Sequence, residues 1–300
     1  MCCGDCGSRR VLPDPLGAEK KEVAETYGDT EVLSMPIQYH HSFGYVGPIG
    51  ALFLCLVASY LHNWQHVTRT HCNNWQFWPS ISSVIGNATP QRYIWRIGVA
   101  LSLVERVHDG LMYFKIHQRW IDSPKFSLGK HEYRWLHFLR WAVFVAHYVE
   151  QLSLLMLTYI SSSEWYAAHE MSFIFFAVFS NTHMIAITIL DWELNRRRRL
   201  LPRKGPAASE KAYRTRMQRF VNIFRVKLLI IVLLLSSFLL AAYLFVRHNT
   251  YCEDGVYSVF AMLEWLTVVL NISFHVVIRF EFPHWNVIMF GVHASDLKLA

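Results

Sequence analysis

Charge is scarce in this 300-residue sequence. Asp, Glu, Lys and Arg together make 17% of it, and they gather in a few short segments instead of spreading along the chain. A soluble domain of this length needs a charged surface. Clustered charge between apolar stretches reads instead as loops between membrane spans. Familiar chemical signatures are missing as well: there is no recognisable zinc spacing and no G-x-S-x-G elbow. No repeat stands out, and no low-complexity segment beyond the arginine run 196–199. A secretory signal peptide is not visible. The first apolar run begins near Phe43, behind a polar segment, and is expected to stay in the mature protein.

Apolar and aromatic residues, by contrast, make 53% of the chain, and Phe, Trp and Tyr alone make 15%. Many aromatics sit near the ends of apolar runs, as aromatic belts at a membrane surface do. Six runs are long enough to span a bilayer: 43–61, 94–114, 135–160, 171–192, 226–246 and 256–278. The expected fold is therefore all-α, a polytopic membrane bundle of about six helices covering 43–280. A disordered cytoplasmic tail, 1–42, precedes it and a cytoplasmic tail, 281–300, follows. The second run is the least apolar, with Arg96, Glu105, Arg106, His108 and Asp109. Charge supports its crossing. The N-terminal tail, the loop 115–134 and the loop 193–225 are rich in Lys and Arg, whereas 62–93, 161–170 and 247–255 are poor in them. Six spans with both termini cytoplasmic satisfy every loop at once. The net charge of +7 thus reads as topology, not as nucleic-acid binding.

That topology puts Cys72 and Cys252 alone among the cysteines on the luminal, oxidising side. A disulfide between them would staple the first luminal loop to the last; the alternative is two unpaired thiols. Cys2, Cys3 and Cys6 lack a fourth ligand at finger spacing, so they are candidates for palmitoylation, and no metal is expected. Asn87-Ala-Thr is a luminal glycosylation acceptor weakened by Pro90.

Several polar groups lie where lipid would reject them. Glu264, Asn271 and His275 share one face of the sixth run; Arg140, His147 and Gln151 share a face of the third, with Glu150 beside it. Asn181 and His183 lie in the fourth, Glu105 and Asp109 in the second. These faces are expected to meet inside the bundle. They form either hydrogen bonds and ion pairs that orient helices, or a lipid-headgroup or His/Glu acid–base site.

Three blocks carry a likeness. The first is Thr70-His71-Cys72, Pro79-Ser80-Ile81-Ser82-Ser83, Ile85-Gly86, Pro90-Gln91-Arg92-Tyr93 and Trp95-Arg96. The second is Leu157-Thr158-Tyr159, Ser161-Ser162-Ser163-Glu164 and His169-Glu170. The third is Arg247-His248-Asn249, Tyr251-Cys252-Glu253, Gly255-Val256-Tyr257, Leu263-Glu264, Asn271 and Phe274-His275. In this order, at the expected luminal face, they resemble the post-GPI-attachment-to-proteins factor 2 family within the Frag/DRAM/Sfk group. The resemblance covers roughly 43–280. It implies a Golgi membrane protein, with the endoplasmic reticulum as a second location, needed when a lyso-GPI anchor receives a saturated fatty acid. It leaves open whether the protein is the acyltransferase or supports one. The wider group keeps a non-catalytic lipid-organising or autophagy-related role as the alternative. Partners implied are GPI-anchored proteins and their lipid, membrane lipids and an acyltransferase; no bound cofactor is expected, with acyl-CoA a candidate donor. On that reading the candidate catalytic groups are His248 with Glu253 and His275 with Glu264. Candidate substrate contacts are Arg92, Arg96, Arg247, His169 and Asn271, the arginines for anchor phosphates. The long Cys-bearing tail and the arginine-rich fourth loop depart from the family pattern.

Overall fold

The computed structural model describes residues 30–36, 39, 42–86, 88–124, 128–200, 207–277, 280–281 and 286–293. Six long helices dominate them: α1 (Ser42–His62), α4 (Gln91–Ile121), α5 (Lys130–Tyr159), α6 (Tyr166–Leu200), α7 (Ala207–Tyr251) and α8 (Val256–Val277). Two short ones, α2 (Trp64–Val67) and α3 (Ile81–Gly86), lie between α1 and α4. All of the long helices except α4 are long and apolar enough to cross a membrane. The chain is an all-α polytopic membrane bundle, as its hydropathy pattern implies. Each long helix packs on the next in chain order, and α8 returns to α1, so the six close a ring. Large apolar side chains such as Phe53, Leu54, Leu152, Leu239 and Val246 cover its outside. In lipid that exposure is cost-free, and the ring hides its polar groups inside.

Helix α4 is the exception that hydropathy misjudges. Its charged residues Glu105, Arg106 and Asp109 are all buried, whereas Ile97, Leu101 and Val104 are 62%, 53% and 73% exposed. These three fall on one stripe at helical spacing, so the helix turns its apolar side outward and its charge inward. At 31 residues it is about 46 Å long. It meets Glu164 through Arg92 near one end and Asp191 through His117 near the other, so it runs the length of the bundle. Its approach to α1 is set by two glycines. A Cβ on Gly98 would lie 2.7 Å from the Gly47 carbonyl oxygen and 2.6 Å from the Ala51 Cβ. Small residues at a crossing let backbones touch where lipid gives no hydrophobic drive.

One end of the bundle is closed by its three loops. The segment 71–81 lies along the α7–α8 junction, bound largely through main chain. Asn74 Nδ2 donates to the carbonyls of Cys252 and Glu253, both at 2.8 Å, and the Gly255 N–H donates to the Trp75 carbonyl at 3.0 Å. Gly255 has φ +72°, the left-handed turn between the two helices that favours glycine. Ser258 Oγ accepts from the Phe77 and Trp78 N–H groups and donates to Gln76 Oε1. Cys72 and Cys252 form a disulfide. The 160–165 turn joins this cap through Arg92, Arg96 and His169.

The opposite end is tied by buried charge. Lys227 Nζ donates to Asp191 Oδ2 at 3.0 Å and pairs with Glu281. Asp191 Oδ1 lies 2.9 Å from His117 Nε2, and Tyr113 Oη donates to Glu281 at 2.7 Å. The lone charge at the start of the fifth run is thus a buried partner of two carboxylates.

Within 1–42 and 281–300 the structure forms strands β1 (Thr30–Pro36) and β2 (Asn286–His293), paired antiparallel from Thr30 opposite His293 to Pro36 opposite Asn286, with one irregularity between Leu33 and Ser34. Both segments are too short to span a membrane, and a mutual ladder satisfies their backbone groups. They belong to a unit separate from the bundle, which is compact over 38–283. Cys2, Cys3, Cys6 and Asn87 lie outside the described residues.

Candidate functional site

The cap gathers most of the polar residues that the sequence singles out. Helix α3 sits at its centre. The Glu264 carboxylate accepts the Ile81 N–H at 3.1 Å, satisfying a first-turn donor that the helix itself leaves free. Seven residues earlier on α8, Tyr257 stands beside Ser80 and Ser83, whose hydroxyls are 2.8 Å apart. Residues 80–83 are thereby held from two sides. His248, buried in the last turns of α7, packs its ring against Tyr257 at 4.9 Å and edge-on to His71 at 5.4 Å. His248 and Glu264 therefore flank one cluster, with Tyr257 beside each.

On the other side of α3, Ser82 faces His169. Nδ1 of His169 lies 2.6 Å from the Ile160 carbonyl oxygen, which only accepts, so Nδ1 carries the proton. Nε2 then presents its lone pair to Ser82 Oγ at 3.5 Å. This is a hydroxyl, a base and a group that orients the base, loose as such contacts are before substrate closes them. His169 was expected to contact substrate; Ser82, part of a block quoted above, was not singled out. Its only sequence signal is three serines in four positions ahead of the second span.

The arginines are already engaged. Arg92 reaches Glu164 Oε1 at 3.4 Å and donates from Nε to the Gly86 carbonyl at 2.8 Å. Arg96 donates to the Tyr159 carbonyl at 2.8 Å and lies 3.9 Å from Glu164 Oε2. The Ser161 N–H, with both arginines nearby, holds the exposed Glu164 carboxyl below the usual carboxylate range. Arg247 pairs with Glu253, Nε to Oε2 at 2.8 Å.

The two expected acid–base pairs do not form. Glu253 is taken by Arg247, not His248. His275 is eleven residues from Glu264 on α8, about 16 Å along the axis, and contacts Glu150 instead at 3.3 Å. It belongs to a second region, deep in the ring. There Glu150 of α5 is fully buried. It contacts His183 Nδ1 at 3.1 Å, Asn271 Nδ2 at 3.1 Å and Arg106 NH1 at 3.9 Å. Asn271 also donates to Ser180 Oγ at 2.7 Å. The polar faces of four spans do meet inside the bundle, and Asn271 is a member of that core, not of the cap. Arg140 and Asn181 do not join it: they bond His137 and the Ala177 carbonyl.

Among the described residues two groups have metal-ligand spacing: His71, Cys72 and His248, and His147, Glu150 and His183. The first loses its thiolate to the disulfide.

Comparison with known proteins places this geometry. The description Frag1/DRAM/Sfk1/Cwh43P N-terminal domain matches residues 39–285. The chain is 32% identical over 263 residues to a Caenorhabditis elegans protein named post-GPI attachment to proteins factor 2, covering 88% of this chain and 92% of that one. It is 36% identical over 236 residues to the Xenopus tropicalis acyltransferase PGAP2, covering 78% and 83%. A Drosophila melanogaster post-GPI attachment to proteins factor 2-like protein is 33% identical over 236 residues, covering 79% and 66%. No solved structure matches. By residues, extent and relatives, the chain belongs to the post-GPI attachment to proteins factor 2 family, within the Frag1/DRAM/Sfk1/Cwh43P group.

Proposed function

We propose that this protein acts in GPI-anchor remodelling as the acyltransferase that restores a fatty acid to lyso-GPI-anchored proteins in the Golgi membrane, with the cap in the lumen and both termini in the cytoplasm. The relatives' names support the process and one of them names the reaction class. The observation that carries the assignment is His169 held by the Ile160 carbonyl with Nε2 towards Ser82 Oγ. In this reading Ser82 Oγ gives its proton to His169 Nε2 and attacks the donor's acyl carbonyl. The bond to the leaving group breaks, and the leaving thiolate or alkoxide takes the proton from the imidazolium. The lyso-anchor hydroxyl then loses its proton to Nε2 and attacks the acyl-serine. The ester to Oγ breaks, and Ser82 is reprotonated. Glu264 and Tyr257 act as positioning residues for 80–83; His248, Glu253 and His275 take no part in the chemistry. Arg92 and Arg96 stand beside the site, where anchor phosphates would compete with Glu164 for them.

The test is acyl transfer to lyso-GPI by the purified protein alone, run with labelled acyl-CoA and, separately, with a labelled phospholipid. A phospholipid donor reaches a luminal site within the bilayer; acyl-CoA has to cross it. Transfer from one of them, an acylated Ser82 peptide after donor alone, and a drop of about 10²–10⁴-fold in His169→Ala are expected. Transfer unchanged in both Ser82→Ala and His169→Ala would overturn the site. No transfer by pure protein, with lyso-GPI still accumulating in cells that lack it, would leave the supporting, non-catalytic role. Unaltered anchors in such cells would remove the GPI reading.

A further inference from the structure

The core region holds more than helix-orienting bonds require. His147 and Glu150, three residues apart on α5, face His183 of α6, and ligand atoms of all three lie within 4.8 Å of one another with every residue buried. His275 of α8 stands beside the three, its ring centroid 6.0 Å from that of His147 and 5.6 Å from that of His183. The tautomer of His147 is set by its surroundings. Nε2 sits 2.8 Å from the Arg106 carbonyl oxygen, which only accepts, so Nε2 holds the proton. Nδ1 is left as a buried lone pair with no hydrogen-bond partner. One anchored nitrogen and one free nitrogen is the arrangement that orients histidine ligands on metals.

The spacings agree. Ligand atoms each about 2.0–2.1 Å from a tetrahedral ion are about 3.3 Å from each other. Glu150 oxygens lie 3.1 Å from His183 Nδ1 and 3.3 Å from His275 Nε2. Charge agrees as well. The Arg106 guanidinium has three carboxylates about it, Glu150, Glu105 and Asp109, and the other guanidinium at this depth, Arg140, is turned to His137 and the Phe114 ring. A dication adds the positive charge that such a set favours in a medium of low polarity. Space is provided by Gly110, where a Cβ would stand 2.6 Å from His147 Cδ2. Beside it a narrow cleft of about 20 Å³ reaches His147, His183 and His275, room for roughly one water.

We infer that His147, Glu150, His183 and His275 form a binding site for a divalent transition-metal ion, of which zinc best fits three imidazoles and a carboxylate. The absence of a sequence spacing for it is explained by the ligands' coming from three helices, two of them contributing one residue each.

The experiment uses the full chain purified in detergent without chelator, its metal measured by mass spectrometry before and after dialysis against zinc. About one zinc per chain is expected, falling at least tenfold in His147→Gln and His183→Gln. Loading with cobalt should give the visible absorption of a tetrahedral cobalt site, absent from both variants. Because the variants can be compared only if folded, the wild-type protein is also stripped with phenanthroline. Its melting temperature should fall and recover on adding zinc back. Wild-type protein that takes up less than a tenth of an equivalent of zinc and of cobalt, with a melting temperature indifferent to phenanthroline, would falsify the site. This outcome is independent of acyl transfer, whose failure leaves the metal content unchanged.

Discussion

The cap and the core are both polar, yet they are built on opposite plans. In the cap, loops meet loops largely through main-chain groups: Asn74 on two carbonyls, Gly255 on Trp75, Ile81 on Glu264. In the core, side chains from separate helices meet one another, with Glu150 touching His183, His275, Asn271 and Arg106. Exposed bonds near water can exchange partners at little cost. A buried ion pair has no substitute partner, so removing one member strands the other. The cap is therefore the place for replaceable contacts, and the core the place where a single loss is felt by the whole ring.

Glu150→Ala should separate the two most sharply. It leaves Arg106 buried without the Glu150 carboxylate that lies 3.9 Å from it, at a cost of about 3–5 kcal/mol. Steady-state abundance and detergent melting temperature should fall together, and retention at normal levels would mean that Glu105 and Asp109 suffice for Arg106. Cys72→Ser comes next. Opening the disulfide should cost about 2–4 kcal/mol and loosen the cap while sparing the core, read as faster hydrogen exchange in 71–81 but not in α5. Equal exchange in both would dissolve the distinction between the regions. The smallest effect belongs to Glu164→Gln, which removes an exposed partner of Arg92 and Arg96. Its carboxyl is held low, chiefly by the Ser161 N–H. The wild-type contribution is thus present above the ordinary carboxylate range and lost only as pH falls through the lowered folded value. The turn should stay protected from protease at mildly acidic pH in wild type, and show no pH step in the variant.

The sequence makes the cap more legible than the core. Its residues fall in contiguous blocks, and loop charge alone places Cys72 and Cys252 on one side, where the structure joins them. The six runs are legible too, including α4, where charge pattern outweighs hydropathy. That polar faces meet inside is readable from periodicity; which residues pair is not. Periodicity gives the direction of a side chain around its own axis but not its height against a neighbour, so Glu264 is matched with His275 on one helix when Glu150 across the ring is the real partner. The Asp191–Lys227–Glu281 cluster escapes for the same reason. The strand pair joins segments some 250 residues apart, and no local pattern announces such a partner.

The Cys72–Cys252 bond has a consequence for integrity as well as stability. It joins residues 180 positions apart, so α4 through α7 lie inside a covalent circle while α1 and α8 hang from it. A single cut anywhere between the two cysteines, including the basic connection between α6 and α7, opens the circle without dividing the molecule. Under oxidising conditions the nicked chain still migrates as one species and separates into two only on reduction. A chain closed in this way can be cut once within the circle and lose no helix from the ring.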